Sequence, residues 1–298
     1  AINAGLDMIM HPNYYADVVL VLKALAGNRI SMARIDDAVT RILAMKCELG
    51  LLEPGVFKPR ADGKLALRDD LLKNVGSPAH RALAREAVRR SLVLLKNEGR
   101  VLPIAKQAKR VHVAGRFADD LGAQCGGWSI QWQGGHGAIT DGTTIRAALE
   151  QALPQGSVSH SADGSGATGA DVAVAVVGER PYAEGAGDDA DLALDPMDVA
   201  TVKAIEATGV PLVVVLLSGR PLILGEVLEL ADAVVAAWLP GTEGAGVADV
   251  LLGDHPPTGK LTHSWPRNLE QVPINVGDKG YAPLFPYGYG LGYAASTP

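Results

Sequence analysis

Residues Asp171 to Glu179 read DVAVAVVGE, and nothing between the two acids carries a charge. Side chains of a strand alternate between its two faces, so a segment that is apolar at every position must be covered on both. The same pattern returns in PLVVVLLSG (Pro211 to Gly219), DAVVAAWLPG (Asp232 to Gly241) and RVHVAG (Arg110 to Gly115). Helical periodicity separates these segments, at Thr144 to Leu153, Pro196 to Ala207, Leu222 to Leu230 and Glu243 to Leu252, and a helix from Ala79 to Arg89 leads into SLVLLKN. Strands alternating with helices predict an α/β fold with a mostly parallel sheet. In such sheets ligands sit beyond the carboxyl ends of the strands. The loop that leaves DVAVAVVGE at that end carries Glu179, Glu184, Asp188, Asp189, Asp191 and Asp195.

Towards the N-terminus, GLDMIM reads as a short buried strand, followed by helical patterns at Tyr14 to Ala26 and Met32 to Leu49. Ser31 is the expected N-cap of the second helix and Gly50 its stop. One strand and two helices are too few to close a core, so this stretch is expected to be the last part of a larger α/β unit that begins upstream. The opening AINAGLDMIMHP has neither an initial Met nor a basic export region, which predicts a fragment whose export signal is absent or already removed. Residues Pro54 to Pro78, rich in Pro, Gly and charge, predict a linker.

The 298 residues are 48% hydrophobic and 20% charged, the composition of a folded chain with more than one domain. A net charge of −6 without a basic run gives no reason to expect nucleic acid or an anionic membrane as partner. No apolar run reaches the roughly 18 to 20 residues of a membrane span. Cys47 and Cys125 are too few for a disulfide framework or a four-cysteine metal site.

The motifs divide into frame and chemistry. The glycines of GGHGAITDG and GTEGAGVADVL lack the complete dinucleotide fingerprint, and they read as tight turns and helix entries, with a nucleotide site as the lesser alternative. Asp188, Asp189, Asp191 and Asp195 miss the Gly and terminal Glu of a calcium loop, which predicts a solvated acidic loop and no metal. Ser218 lies outside a nucleophile elbow and reads as a turn residue. In GGWSIQWQGG, Trp128 and Trp132 offer flat faces beside Gln and Gly, suited to stacking on a sugar or a base. Trp128 reads equally well as core, whereas Trp132 favours binding. Glu179 reads as a structural partner of Arg180 or of a helix end. Glu184, between Tyr182 and Gly185, has the freedom of a loop to reach a cleft, and a general acid there would need a pKa raised by burial or by Asp188.

Eight blocks in order, AGLDMIM, ISMARIDDAVTRILAMKCELGLLE, HRALAREAVRRSLVLLKNEGRVLPI, VHVAGRFADDLGAQCGGWSIQWQG, AVVGERPYAEGAGD, LLSGRPLIL, AAWLPGTEGAGVADVLLGDHPPTGKL and YGYGL, resemble glycoside hydrolase family 3 in its exo-β-glucanase and β-glucosidase branch. The resemblance implies a (β/α)8-type barrel, a linker and a six-stranded α/β sandwich, with the active site between barrel and sandwich. Residues 1–53 would then be the C-terminal end of the barrel, 54–78 the linker and 79–298 the sandwich domain. It implies that Glu184 is the acid/base, that Trp132 lines the subsite beyond the cleaved bond with Trp128 beside it, and that Tyr182 and Asp188 support the loop.

The family's Asp nucleophile belongs to a block upstream of AGLDMIM, and Asp7 is not that residue. The implied activity is retaining removal of terminal β-linked glucose from β-glucans or β-glucosides, without a cofactor. The chain alone is expected to be inactive unless the barrel is supplied upstream or in trans. The alternatives are a β-xylosidase or other β-glycosidase of the family, and a non-catalytic carbohydrate- or nucleotide-binding α/β domain. Because polymeric β-glucans lie outside cells, a periplasmic or secreted location is expected.

Overall fold

The computed structural model describes residues 1–10, 14–54 and 72–293. The chain divides into two compact units, Ala1–Val75 and Gly76–Pro298. Most of the expected linker falls outside the described residues.

In the first unit, α1 (Tyr14–Ala26) and α2 (Met32–Glu48) form as the periodicity predicts. The Ser31 hydroxyl accepts the Arg34 N–H at 3.1 Å, and Gly50 follows the helix at φ 71°. The expected buried strand at GLDMIM is not one: residues 6–10 have no strand partner among the described residues, and Met10 is 93% exposed. A strand exists only where a neighbour completes its backbone hydrogen bonds, and apolar composition alone supplies none. Asp7 is instead held by Arg34 (2.6 Å) and Arg41 (2.8 Å), whose hydrogen bonds lower its pKa, with Arg34 the stronger cause. A carboxylate so occupied has a structural role.

The second unit is an α/β sandwich around one six-stranded sheet. Its strands are β1 (Val93–Asn97), β2 (Val111–Ala114), β3 (Val158–Ser161), β4 (Val172–Gly178), β5 (Leu212–Leu217) and β6 (Ala233–Trp238). They lie in the order β1-β6-β5-β4-β2-β3, all parallel except β1, which runs antiparallel to β6. Its helices are α3 (Pro78–Ser91), α4 (Leu121–Cys125), α5 (Ile145–Ala152), α6 (Pro196–Glu206), α7 (Val227–Leu230) and α8 (Gly244–Leu251).

Alternation along the central strands builds two cores. Val172, Val174 and Val176 join Val213, Val215 and Leu217 on one face, covered by Val88 of α3, Leu149 of α5 and Val247 of α8. Ala173, Ala175 and Val177 join Val214, Leu216 and Val234 on the other, covered by Ile205 of α6, Val227 of α7 and the buried Trp265. Each Val so buried contributes on the order of 1.5–3 kcal/mol.

The expected helix Leu222 to Leu230 shrinks to Val227–Leu230. Leu222 and Leu224 are buried as core, and Ile223 bridges to Ala193, its N–H bonded to Leu192 O at 2.8 Å. That extended backbone pairing is incompatible with a helical turn. Edge strand β3 reads VSHS and the short α4 reads LGAQC, neither with enough apolar pattern to announce itself.

One titratable group is part of the sheet edge. His112 of β2 is buried, and its ring nitrogens meet Ser159 Oγ at 2.9 Å and Ser161 Oγ at 3.1 Å on β3. Desolvation lowers its pKa, with His160 and Arg110 adding to the shift, and His160 is lowered as well. The unfolded imidazoles bind protons more readily than the folded ones, so stability is complete above about pH 6.5 and falls as pH drops below it. Between about pH 7 and pH 5 the urea midpoint of the His112→Asn variant is expected to fall less steeply than that of the unchanged chain. Parallel slopes would show that His112 titrates normally.

Candidate active site

Strand β4 ends at Gly178, and only glycine fits there: at φ 148° a Cβ would lie 1.8 Å from the Leu217 carbonyl oxygen. The Gly178 N–H bonds the buried Asp198 of α6 at 3.0 Å. Beyond it, Glu179 turns back onto β5 rather than pairing with Arg180. Its Oε1 accepts from Arg220 Nε (2.9 Å) and Nη2 (2.6 Å), and its Oε2 from Tyr182 Oη (3.0 Å) and Ser218 Oγ (2.9 Å). Ser218 is also the turn residue it was expected to be, accepting the Arg220 N–H at 3.0 Å.

The same guanidinium lies 4.6 Å above the Tyr182 ring and donates through Nη1 to the Gly187 carbonyl at 2.7 Å. One arginine therefore grips the strand end and both ends of the loop 182–187. Burial, followed by the charge and hydrogen bond of Glu179, raises the Tyr182 phenol to about 12, so it remains a donor. Arg220 was not anticipated from sequence. The signal was available, because neighbouring parallel strands end in Glu179 and, three residues past β5, in a base.

The loop carries Glu184 at its tip, exposed to solvent. Its Oε2 accepts the Trp128 indole N–H at 3.0 Å. Its own backbone N–H favours the charged form most, burial opposes it, and Trp128 and Trp132 add to the lowering, so its pKa lies below the usual carboxylate range. The expected upward shift by Asp188 is thus reversed here: donors surround this carboxylate, and Asp188 is not among the groups acting on it. The exposed Asp188 closes a turn through its N–H to Gly185 O at 3.1 Å.

Of the other aspartates, Asp189 and Asp191 are exposed, as expected of a solvated loop, and these two and Asp195 also shape backbone. Asp189 and Asp191 accept the N–H groups of Asp191 (2.9 Å) and Ala193 (3.0 Å), and Asp195 caps α6 at Met197 N while pairing with Arg116 at 2.9 Å.

Both tryptophans stand in the open, Trp128 71% and Trp132 54% exposed, which removes the core reading of Trp128. Their ring centroids are 6.3 Å apart at 55°, and Trp128 N–H bonds Trp132 O at 2.9 Å to close the loop. Gly127 lets this loop touch the acidic one, since a Cβ there would lie 2.0 Å from Tyr182 O. Gln133, which sequence reasoning passed over, bridges the two: its Oε1 accepts the Ala183 N–H at 2.8 Å and its Nε2 donates to Glu184 O at 3.3 Å. The glycines of GTEGAG do packing work, Gly244 against the Thr143–Ile145 backbone and Gly246 against Val88.

The fold defines a doubly covered α/β sandwich whose strand ends present a carboxylate beside two exposed indoles. Residues 92–293 match the model of the glycosyl hydrolase family 3 C-terminal domain, and the chain belongs to that family. It is 32% identical over 355 aligned positions to a periplasmic β-glucosidase of Salmonella typhimurium, covering 100% of this chain and 45% of that protein. A β-xylosidase of Formosa agariphila is 32% identical over 98% of this chain and 44% of its own length. Among solved structures, the exo-1,3/1,4-β-glucanase of a Pseudoalteromonas species superposes with a TM-score of 0.78 at 40% identity, over 98% of this chain and 37% of that one. The chain thus spans less than half the length of these relatives, as their C-terminal part.

The Arg220 knot has a measurable weight. Arg220→Met leaves the half-buried Glu179 charge without its partner and is expected to cost about 2 kcal/mol in urea denaturation. Adding Glu179→Gln should recover part of that loss, and strict additivity of the two changes would show that the pair is not coupled.

Proposed function

We propose that this chain is the acid/base half of an exo-acting β-glucosidase or glucan β-glucosidase, with Glu184 as general acid and base and an Asp nucleophile supplied by a barrel segment upstream. Residues 1–53 are then the end of that barrel, 54–78 the linker and 79–298 the sandwich that carries the loop. The observation that carries this reading is Glu184 itself, a carboxylate beyond the carboxyl end of β4, held at 3.0 Å by Trp128 with Trp132 alongside. The names of the β-glucosidase and exo-glucanase relatives support the reaction class.

The reaction is a double displacement with retention. The nucleophile attacks the anomeric carbon while protonated Glu184 gives its proton to the leaving oxygen; ionised Glu184 then takes a proton from water, which releases the sugar. The two carboxyl groups must stand about 5 to 5.5 Å apart. The N–H donors around Glu184 suit the second half, in which it is a base. For the first half it must hold a proton, and the second carboxylate with a bound sugar that excludes water supplies the opposing upward shift. Trp132 and Trp128 offer stacking faces to the leaving part of the substrate. No cofactor enters this chemistry. The β-xylosidase relative supports a second reading, in which the sugar is xylose.

In the full-length enzyme, Glu184→Gln is expected to slow hydrolysis of glycosides with poor leaving groups by about 10²–10⁴-fold while largely sparing activated aryl glycosides. Equal rates on both substrates would remove Glu184 from the mechanism. Trp128→Phe deletes a donor that favours the carboxylate, so the pKa of Glu184 rises and the high-pH limb of kcat/KM should move to higher pH. A limb that stays in place or moves down would contradict the assigned hydrogen bond.

A further inference from the structure

We propose that Gln133 is the positioning residue of Glu184, a role that rests on reading Glu184 as the acid/base. Its carboxamide takes two points of the main chain at that residue, accepting the Ala183 N–H at 2.8 Å and donating to the Glu184 carbonyl at 3.3 Å. These two bonds fix the orientation of the backbone that carries the side chain. The carboxylate itself is held by Trp128, five residues earlier on the same short loop. One loop therefore sets both the main chain and the side chain of Glu184.

That loop is a firm support. It leaves α4, where the fully buried Gln124 bonds Thr143 O (3.2 Å), Gly241 O (3.0 Å) and Ile145 N (2.8 Å), tying it to the starts of α5 and α8. Asp120 caps α4 at Ala123 N (2.9 Å) and also accepts the Gly137 N–H at 2.8 Å beyond the tryptophans. The Arg220 knot grips the acidic loop at Tyr182 and Gly187, on either side of Glu184. Between those grips stands Gly185 at φ 82°, a residue with wide backbone freedom. Gln133 restrains the stretch that Arg220 leaves to turn. A displacement of about 1 Å at a catalytic group can cost on the order of 10²-fold in rate, so a neutral amide with no proton to give still governs proton transfer.

The test uses the full-length enzyme carrying Gln133→Ala, Gln133→Glu and Glu184→Gln, singly and combined. Gln133→Glu keeps an acceptor for the Ala183 N–H but sets a carboxylate against the Glu184 carbonyl, so it serves if the alanine variant does not fold. Each Gln133 variant is expected to lower kcat about 10- to 100-fold on alkyl β-glucosides and much less on a dinitrophenyl β-glucoside, with KM little changed. In the Glu184→Gln background the same change should cost almost nothing more.

An equal loss on both substrates, or the full loss repeated in that background, overturns the proposal and leaves Gln133 a structural residue. If Glu184→Gln itself leaves the leaving-group dependence unchanged, the acid/base reading fails and the role of Gln133 fails with it.

Discussion

The hydrogen-bonded seam between β4 and β5 is the constraint on which the second unit depends. Both strands are buried on both faces, so each backbone N–H and C=O must find its partner within the sheet. The register runs from Ala173 opposite Leu212 to Gly178 opposite Leu217 and sends alternate side chains into the two cores. At its last step the strands approach so closely that residue 178 has no room for a side chain. The seam therefore fixes where the chain can leave the sheet, and Glu179 with Ser218 and Arg220 leaves it together.

From that exit the site follows by short steps. Glu179 and Arg220 neutralise each other where two strands end, and the arginine has a donor left over for the Gly187 carbonyl and a guanidinium face that covers the Tyr182 ring. Arg220 thus ties down the 182–187 stretch of the acidic loop, while Asp195 holds its far end to Arg116. The loop's other carboxylates point elsewhere: three accept backbone N–H groups, and one of them caps α6. What remains at the tip is a single glutamate facing indole N–H donors, an environment that favours its charged form. The environment matters more than the number of acids nearby, because a hydrogen bond at 3.0 Å outweighs charges dispersed in water.

Much of this was legible from residue order. β2, β4, β5 and β6 could be drawn within one to three residues because doubly buried strands write themselves as unbroken apolar runs, and α2, α5, α6 and α8 from their helical period, with the Ser31 cap marking α2. Edge strand β3 was not legible, since an edge needs neither an apolar run nor burial: VSHS is stabilised by pairing to β2 and by His112 between two serines. GLDMIM is the opposite case, apolar enough for a strand but without a pairing neighbour among the described residues. Within the site, the placement of Glu184 beyond a strand end was readable. Its pKa direction was not, because Asp188 is near in sequence while Trp128, 56 positions away, is near in space.

Sequence by itself determined the layered α/β class, the family, and the loop on which the carboxylate rides. The class and the loop follow from local pattern, which depends on neighbours one to four positions apart, and the family from the resemblance of the eight ordered blocks. Tertiary structure alone decided that Glu179 belongs to Arg220 and not to Arg180, that Trp128 is exposed and bonded to Glu184, and that Gln133 clasps the chain at residues 183 and 184. Each of these joins groups far apart in sequence that the fold brings together. Hydrogen bonds and ion pairs act over about 3 Å whatever the separation along the chain, so only the packed fold can choose among the partners the sequence makes possible.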